Sequence, residues 1–283
     1  MDDTRRYARQ SAVTDPGERR PALQGLPSAE PSRLRELVTG LVIHAGMGDL
    51  YGVNLSGRVG EARLRTLRGM LDRLLELGPE TLERPRPPER RLVGHCRAST
   101  VLACGLLREA GVPARARCGF SAYFTSPRLG DHWVVEDWSA ERPGWRLRDA
   151  ALDELLMADN DILFDPNEVP RDRFVLTGEA WLGIRRGTHD AARFGLDPSV
   201  TGAGYVRGQL IRDIAALNME EVGPWDVWGL GETEHALGAA DLELLDEVAR
   251  ATVSASTGDD ASARLWMAHP ELRPPAAFLR DPD

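Results

Sequence analysis

A helix-like segment followed by three strand-like segments constrains the fold of this chain more than any other feature. Residues 97–110 place apolar side chains at helical spacing, and the Gly-Val-Pro sequence at 111–113 marks the end of that helix. Residues 114–120 then alternate alanine, cysteine and phenylalanine with two arginines, which is the period of a strand. Residues 131–138, rich in tryptophan and valine, and 145–149 predict two further strands. A helix packed on an antiparallel meander predicts an α+β fold.

The segments on either side of this core predict helices and one extended arm. Four of them carry apolar residues at helical spacing: 32–45, 60–77, 204–218 and 232–253. Residues 1–30 are rich in Arg, Asp, Pro and Gly and have little periodicity. We therefore predict an extended N-terminal arm at 1–30, a core with N-terminal helices at 31–200, and a helical C-terminal extension packed on that core at 201–283.

Composition excludes several classes of function. The formal net charge of -9 argues against a nucleic-acid-binding protein, which needs a concentrated basic face. All 35 basic residues are arginine, which excludes a Schiff-base or P-loop lysine. No apolar run approaches the ~20 residues that span a bilayer, and the polar N-terminus does not resemble a signal peptide. We expect a cytoplasmic protein that binds neither nucleic acid nor membrane; the sequence leaves its oligomeric state open.

Cys96 stands at the predicted start of the helix, where free backbone N–H groups favour an anion. A thiol attacks a carbonyl as its thiolate, so this position and a neighbouring histidine would both activate it. His132 heads the second predicted strand and Asp149 ends the third. In an antiparallel meander these ends lie close enough for the carboxylate to bind the second ring nitrogen. The order predicts a catalytic triad of Cys96, His132 and Asp149.

Three other acidic residues compete with Asp149 for the contact with His132. Glu136 and Asp137 lie on the same strand as His132. A side chain four or five residues along a strand is ~13–17 Å away. Asp131 is adjacent to His132 but points to the opposite face of the strand. A partner on the neighbouring strand has the better geometry, so Asp149 keeps the predicted role.

These residues resemble the transglutaminase-like superfamily, in a bacterial stand-alone form. The resemblance rests on four segments in the family's order: Gly94-His95-Cys96-Arg97-Ala98, the Leu-Leu-Arg-Glu-Ala-Gly-Val-Pro-Ala-Arg sequence at 106–115, Asp131-His132-Trp133-Val134, and 144–149. It covers roughly residues 90–155. The resemblance implies a papain-like α+β catalytic core within 31–200, in which a nucleophile helix packs on an antiparallel sheet and further helices are added at both ends.

The activity that the resemblance implies is acyl transfer through a thioester on Cys96. The substrate would be a small amide, a peptide or a thioester, and the acyl group would pass to water or to an amine. The triad serves amide hydrolysis and amide-bond formation equally, because both use the same intermediate. No cofactor is implied, and the chain has no obvious calcium-loop pattern, so calcium is not implied either. A non-catalytic binding or scaffold protein with a transglutaminase-like shell is the alternative.

Four residues are candidates for binding the substrate. Arg117 has the forked guanidinium that binds a carboxylate. Trp133 beside the histidine, together with Trp225 and Trp228 in an aromatic loop near the C-terminal helices, are candidate walls of the pocket.

An oxyanion hole for the thioester chemistry needs two hydrogen-bond donors. The backbone N–H of Cys96 is one plausible donor. In the family the second donor is an upstream aromatic or amide side chain, for which Gln10, Gln24 and Asn54 are the candidates here.

The histidines and cysteines also permit a zinc hypothesis. Its ligands would be His95, Cys96, Cys104 and His132. Their spacing matches no zinc pattern, because paired ligands usually stand about two to five residues apart. Cys104 lies two turns further along the same helix, and we interpret it and Cys118 on the first strand as core residues. No metal is predicted.

Overall fold

The computed structural model describes residues 4–26, 30–78, 81–139, 141–257 and 261–282. Its α-helices are α1 (Pro31–Leu41), α2 (Leu67–Leu77), α3 (Cys96–Glu109), α4 (Glu154–Asp159), α5 (Thr177–Arg185), α6 (Ala203–Leu217), α7 (Ala239–Ser254) and α8 (Ala261–Ala268). Its strands are β1 (Val42–His44), β2 (Leu92–Gly94), β3 (Ala114–Ser121), β4 (Asp131–Trp138), β5 (Trp145–Arg148), β6 (Phe174–Leu176), β7 (Gly195–Asp197) and β8 (Val200–Thr201). Helices and an antiparallel sheet are mixed, so the predicted α+β class is confirmed. Within these ranges no helix is both long enough and apolar enough to cross a bilayer.

The central sheet has four strands in the order β5-β4-β3-β6, and all neighbouring strands are antiparallel. β3, β4 and β5 form the predicted meander, with Val135 opposite Arg148. Continued by one residue, this register sets Asp149 opposite Val134, diagonally across from His132. Side chains at such diagonal positions are within reach of each other. β6, which the sequence did not predict, pairs with the end of β3.

Helix α3 packs against β3 and β4, and nearly its whole surface is buried. Val101 and Leu102 belong to one apolar cluster with Ala116 of β3 and Trp133 of β4. Small residues let other elements approach the helix closely: a Cβ at Gly105 would lie 2.4 Å from a methyl group of α2. Packing on several sides fixes the direction of α3 and therefore the position of its first residue.

A two-stranded parallel pair precedes α3 and determines where that helix begins. β1 pairs with β2, with Ile43 opposite Val93 and His44 opposite Gly94. The N–H of Ala45 donates to the carbonyl of Gly94 at 2.8 Å and extends the pairing by one residue. His44 is thereby held beside the start of α3, although the two are far apart in sequence.

The two helices predicted before the nucleophile helix are shorter than their apolar periodicity indicates. The helix predicted at 32–45 ends at Leu41, because the chain continues directly as β1. The helix predicted at 60–77 begins only at Leu67. Thr66 is the N-cap that sets this start, because its hydroxyl accepts the backbone N–H of Gly69 in the first turn at 3.0 Å.

The C-terminal helices α5, α6 and α7 form a second apolar core, which also includes Phe120 of β3. α6 and α7 correspond to the helices predicted at 204–218 and 232–253, although α7 begins at Ala239. α5 was not predicted, because its nine residues are too few to show a period. This core combines residues from both sides of the predicted boundary at 200.

The predicted extended arm at 1–30 is wrong for the part that the structure describes. Residues 4–8 and 17–23 form 3-10 helices, and the segment packs against the folded core. The Tyr7 hydroxyl, from a residue 1% exposed, donates to the carbonyl of Leu217 at 2.7 Å. The Ser11 hydroxyl donates to Glu221 at 2.7 Å. The partners of these polar residues lie some two hundred positions away, where local periodicity carries no sign of them.

Candidate active site

Cys96 is the first residue of α3 and lines an open cavity. Gly94, two residues before it, must be small because a Cβ there would lie 2.7 Å from the Cβ of Ala98. Cys96 itself is 9% exposed. The cavity has a volume of about 420 Å³, and His44 and His132 line it together with Cys96. The sulfur therefore stands where the free N–H groups of a helix start meet a space that a small molecule can enter.

His132 connects Cys96 with Asp149. Its ring Nε2 lies 2.7 Å from Oδ2 of Asp149. The same ring lines the cavity together with Cys96, and the cysteine is near enough to raise the pKa of His132. Because the carboxylate occupies Nε2, Nδ1 is the ring nitrogen that stays available to the cysteine. The structure thus brings together the three residues of the predicted triad, whose catalytic role stays a prediction.

Burial and mutual attraction set the charges of this group. Burial lowers the pKa of His132, but the attraction of Asp149 and Cys96 outweighs burial and raises that pKa well above 6.5. Burial raises the pKa of Asp149, but the His132 charge and the hydrogen bonds that Asp149 accepts outweigh burial and lower that pKa below 3.8. At neutral pH the His132 ring therefore carries a positive charge, next to the Asp149 carboxylate and in the same cavity as Cys96.

Tyr123 is a further member of the site, and the sequence analysis missed it. Its hydroxyl donates to Oδ2 of Asp149 at 2.7 Å, the same oxygen that His132 contacts. The backbone N–H of Ala151 donates to Oδ1 at 2.9 Å. Burial raises the pKa of Tyr123 well above 10, so the phenol stays a donor. These contacts fix the carboxylate that orients His132, and nothing in the loop sequence around Tyr123 signals them.

Arg117 does not reach the cavity, and its prediction as a substrate-binding residue is wrong. The side chain is fully buried between the sheet and α6. Its Nε and Nη2 each donate to a carboxylate oxygen of Asp213 at 3.0 Å, and Nη1 donates to Glu136 at 3.1 Å. Its guanidinium is therefore occupied by partners within the protein.

The three candidate tryptophans lie in different surroundings. Trp133 is 0% exposed and belongs to the apolar core, and Trp228 is buried with its Nε1–H donating to the carbonyl of Leu272 at 3.0 Å. The predictions that these two line a substrate pocket are wrong. Trp225 is 54% exposed, and its ring meets the His95 ring edge-on at 5.9 Å between centroids. Trp225 stays a predicted substrate contact.

A second cavity lies on the other side of His95. It has a volume of about 320 Å³, and Trp225, Arg63 and Arg65 are among the residues that line it. His95 lines both cavities, so the two spaces flank the residue that precedes the nucleophile candidate.

The acidic residues that competed with Asp149 have other partners. Glu136 is ion-paired with three arginines of the sheet region, and Asp137 with Arg146 and Arg148. Asp131 accepts a hydrogen bond from Tyr205. In the part of the chain that the structure describes, Asp149 is the acidic residue that binds His132.

The zinc hypothesis finds no support in the geometry. Among the described residues, no three or more His, Cys, Asp or Glu side chains are grouped so that they could hold a metal ion. Cys104 is fully buried in the first apolar core, and burial raises the pKa of its thiol to about 12. The Cys118 thiol, also buried, donates to Gln209 at 3.1 Å. Both residues are core residues, as the sequence predicts.

None of the predicted side-chain oxyanion donors lies at Cys96. Gln10 is bound near the far end of α3, where it donates to the carbonyl of Gly105 at 2.9 Å. Gln24 is exposed beside the N-terminal 3-10 helix. Asn54 is also exposed and lines a separate cavity. These three predictions are wrong, because choosing by residue type alone ignores where the chain carries each residue.

No protein-family model, no curated protein and no solved structure matches this chain. Its function must therefore be inferred from the geometry and charge of the site.

Proposed function

We propose that this chain is a cysteine-dependent acyl-transfer enzyme of the transglutaminase-like type. The observation that carries the proposal is the hydrogen bond between Asp149 and His132, together with the position of His132 and Cys96 on the wall of one open cavity. A buried carboxylate, an imidazole and a thiol in this order are the arrangement that activates a nucleophilic cysteine.

The charges of these groups support a two-step reaction. The Cys96 thiolate attacks the carbonyl carbon of the substrate, and the carbonyl electrons move onto oxygen. The intermediate collapses as the bond to the leaving group breaks, and His132 gives that group its proton. His132, now neutral, then takes a proton from water or an amine as that nucleophile attacks the thioester. Collapse of the second intermediate returns the electron pair to the Cys96 sulfur, and Asp149 stabilises the imidazolium that has re-formed.

The arrangement of elements around the site supports a papain-like core. Cys96 begins a buried helix that packs against β3 and β4, His132 lies on β4, and Asp149 directly follows the antiparallel neighbour β5. Cys96 and His132 therefore stand on rigid elements and Asp149 stands next to one, which holds reacting groups more precisely than loops do.

The cavity supports a small molecule or a peptide side chain as the acyl donor. Its volume of about 420 Å³ lies within the range of small-molecule sites. Apolar side chains such as Met47, Phe124 and Leu196 share its wall with polar ones such as Thr125 and Asn160. Both hydrolysis and transfer to an amine fit this site, and exclusion of water decides between them.

Trapping of an acyl-enzyme tests the proposal directly. We expect the intact protein incubated with p-nitrophenyl acetate to gain one acetyl group, and peptide mapping by mass spectrometry should locate it on Cys96. Cys104 and Cys118 serve as internal controls, because both thiols are buried in the core. Addition of a primary amine should then release either acetate or the acetylated amine, which separates hydrolysis from transfer. An unmodified protein that releases no p-nitrophenolate, or equal acetylation of a Cys96→Ala variant, would instead support the non-catalytic alternative.

A further inference from the structure

We propose that His44 is a catalytic residue whose Nε2–H binds the oxygen of the substrate carbonyl and stabilises the oxyanion that forms when Cys96 attacks. The inference rests on the proposed acyl-transfer function. It assigns the side-chain donor of the oxyanion hole to a histidine, a residue type that the sequence analysis did not consider for this role.

The position of His44 follows from the parallel pairing of β1 and β2. His44 lies opposite Gly94, two residues before Cys96, and the hydrogen bond from Ala45 to Gly94 continues the pairing. The His44 ring lines the same cavity as Cys96 and His132. It also meets the His95 ring edge-on, at 5.2 Å between centroids. His44 therefore lies on the wall of the cavity that a carbonyl group bound at the sulfur would occupy.

The hydrogen bonding of His44 determines which nitrogen carries its proton. The backbone N–H of Gly46 donates to Nδ1 of His44 at 3.1 Å, so Nδ1 is an acceptor and cannot carry a hydrogen. In the neutral ring the proton is then on Nε2. Within the described residues Nε2 has no hydrogen-bond partner, and this atom is accessible to solvent. Nε2–H is therefore a donor without a partner in the described part of the chain, on a ring that lines the cavity.

The surroundings of His44 keep this donor neutral. Burial, together with the nearby His95 and His132, lowers the pKa of His44 to about 4. At neutral pH the ring therefore offers one oriented N–H and no second positive charge. An uncharged donor does not compete with the His132 imidazolium for the thiolate, yet it stabilises negative charge that develops on the carbonyl oxygen.

The backbone N–H of Cys96 is the natural second donor. It is the first amide of α3, and such amides have no partner within the helix. Two donors of this kind, one backbone and one side chain, are sufficient for an oxyanion hole. The neutral His44 ring and the positively charged His132 ring would then have separate tasks, one binding the oxyanion and the other moving the proton.

Two reactions of Cys96 separate this role from a structural one. Iodoacetamide alkylation displaces iodide at a tetrahedral carbon and forms no oxyanion, whereas acylation by p-nitrophenyl acetate passes through one. We expect His44→Met to leave the alkylation rate within about threefold and to lower the acylation rate about 10²-fold. His44→Gln carries an amide N–H as many bonds from the backbone as Nε2, and it should recover acylation at least about tenfold over His44→Met. His235→Met, at a partly exposed histidine remote from the cavity, is the control.

Each result has a definite consequence. Acylation of His44→Met at the wild-type rate would overturn the assignment, as would a His44→Gln variant no better than His44→Met. An equal loss of alkylation and acylation would also overturn it, because that pattern marks a residue that only shapes the site. If the unaltered protein reacts with neither reagent at Cys96, the proposed function itself fails, which is a different outcome from failure of the His44 assignment.

Discussion

Replacing His132 with glutamine should lower the rate of thioester formation on Cys96 by about 10³- to 10⁴-fold. The variant loses the imidazolium, whose positive charge stabilises the thiolate and whose proton later passes to the leaving group. Glutamine keeps a similar size and can still hydrogen-bond to Asp149, so the loss reports the chemistry of the ring more than its volume. The measurement is the rate of acetyl-enzyme formation with p-nitrophenyl acetate, followed by mass spectrometry.

The same substitution at a remote histidine is the control for this prediction. His189 is exposed, and its Nδ1 contacts the neighbouring backbone carbonyl. His189→Gln should therefore acylate at the wild-type rate. A rate for His132→Gln within about tenfold of wild type would contradict the role given to His132, since a missing general acid and base typically costs more.

The second large effect concerns stability. Replacing Arg117 with methionine should lower the free energy of unfolding by about 3–5 kcal/mol, because the change leaves buried carboxylates without their counter-charge. Within the described part of the chain, Asp213 would keep only the hydrogen bonds from Thr177 and from the N–H of Cys118. Glu136 is affected less, because Arg115 and Arg171 remain beside it. Urea unfolding followed by tryptophan fluorescence measures the change.

Two comparisons define what the stability result means. Arg142→Met breaks an ion pair with Glu168 whose side chains are 66% and 57% exposed, and it should cost less than about 1 kcal/mol. The double variant Arg117→Met with Asp213→Leu removes both charges and should regain much of the lost stability. If Arg117→Met unfolds within about 1 kcal/mol of the wild-type protein, Arg117 does not hold the sheet to α6 as the contacts indicate.

The elements that carry the triad could be predicted because their signals are local. The period of α3, the alternation along β3 and the aliphatic and aromatic residues of β4 each lie within about a dozen residues. An antiparallel meander then has few possible registers, so the positions of His132 and Asp149 followed from the order of the strands alone.

The rest of the site depends on contacts that join distant segments. His44 lies in a strand of three residues, which is too short to show a strand period in the sequence. Its partner strand β2 is distant in the sequence and lies beside it only in the folded chain. Tyr123 follows the end of β3 in a loop, and its link to Asp149 depends on how that loop folds back.

Arg117 was wrongly predicted to be accessible for the same reason, because its surroundings depend on a distant segment. In the sequence it has the alternation of a solvent-facing strand residue, and the prediction treated it as accessible. α6 covers it and supplies Asp213, which lies 96 positions further along the chain. A charged residue in a strand therefore indicates a surface only when no later element packs over it.

The most direct test of the central claim is the reactivity of the three cysteines toward iodoacetamide at pH 6.5, resolved by peptide mass spectrometry. A free thiol has a pKa of about 8.5 and is about 1% thiolate at this pH. Because the raised pKa of His132 keeps its ring charged at pH 6.5, Cys96 should react well above the rate of an unstructured cysteine peptide. Cys104 and Cys118 should stay unlabelled in the folded protein, and His132→Gln should slow Cys96 at least about tenfold. Labelling of Cys96 no faster than the peptide, or unchanged in His132→Gln, would contradict an activated thiolate at this site.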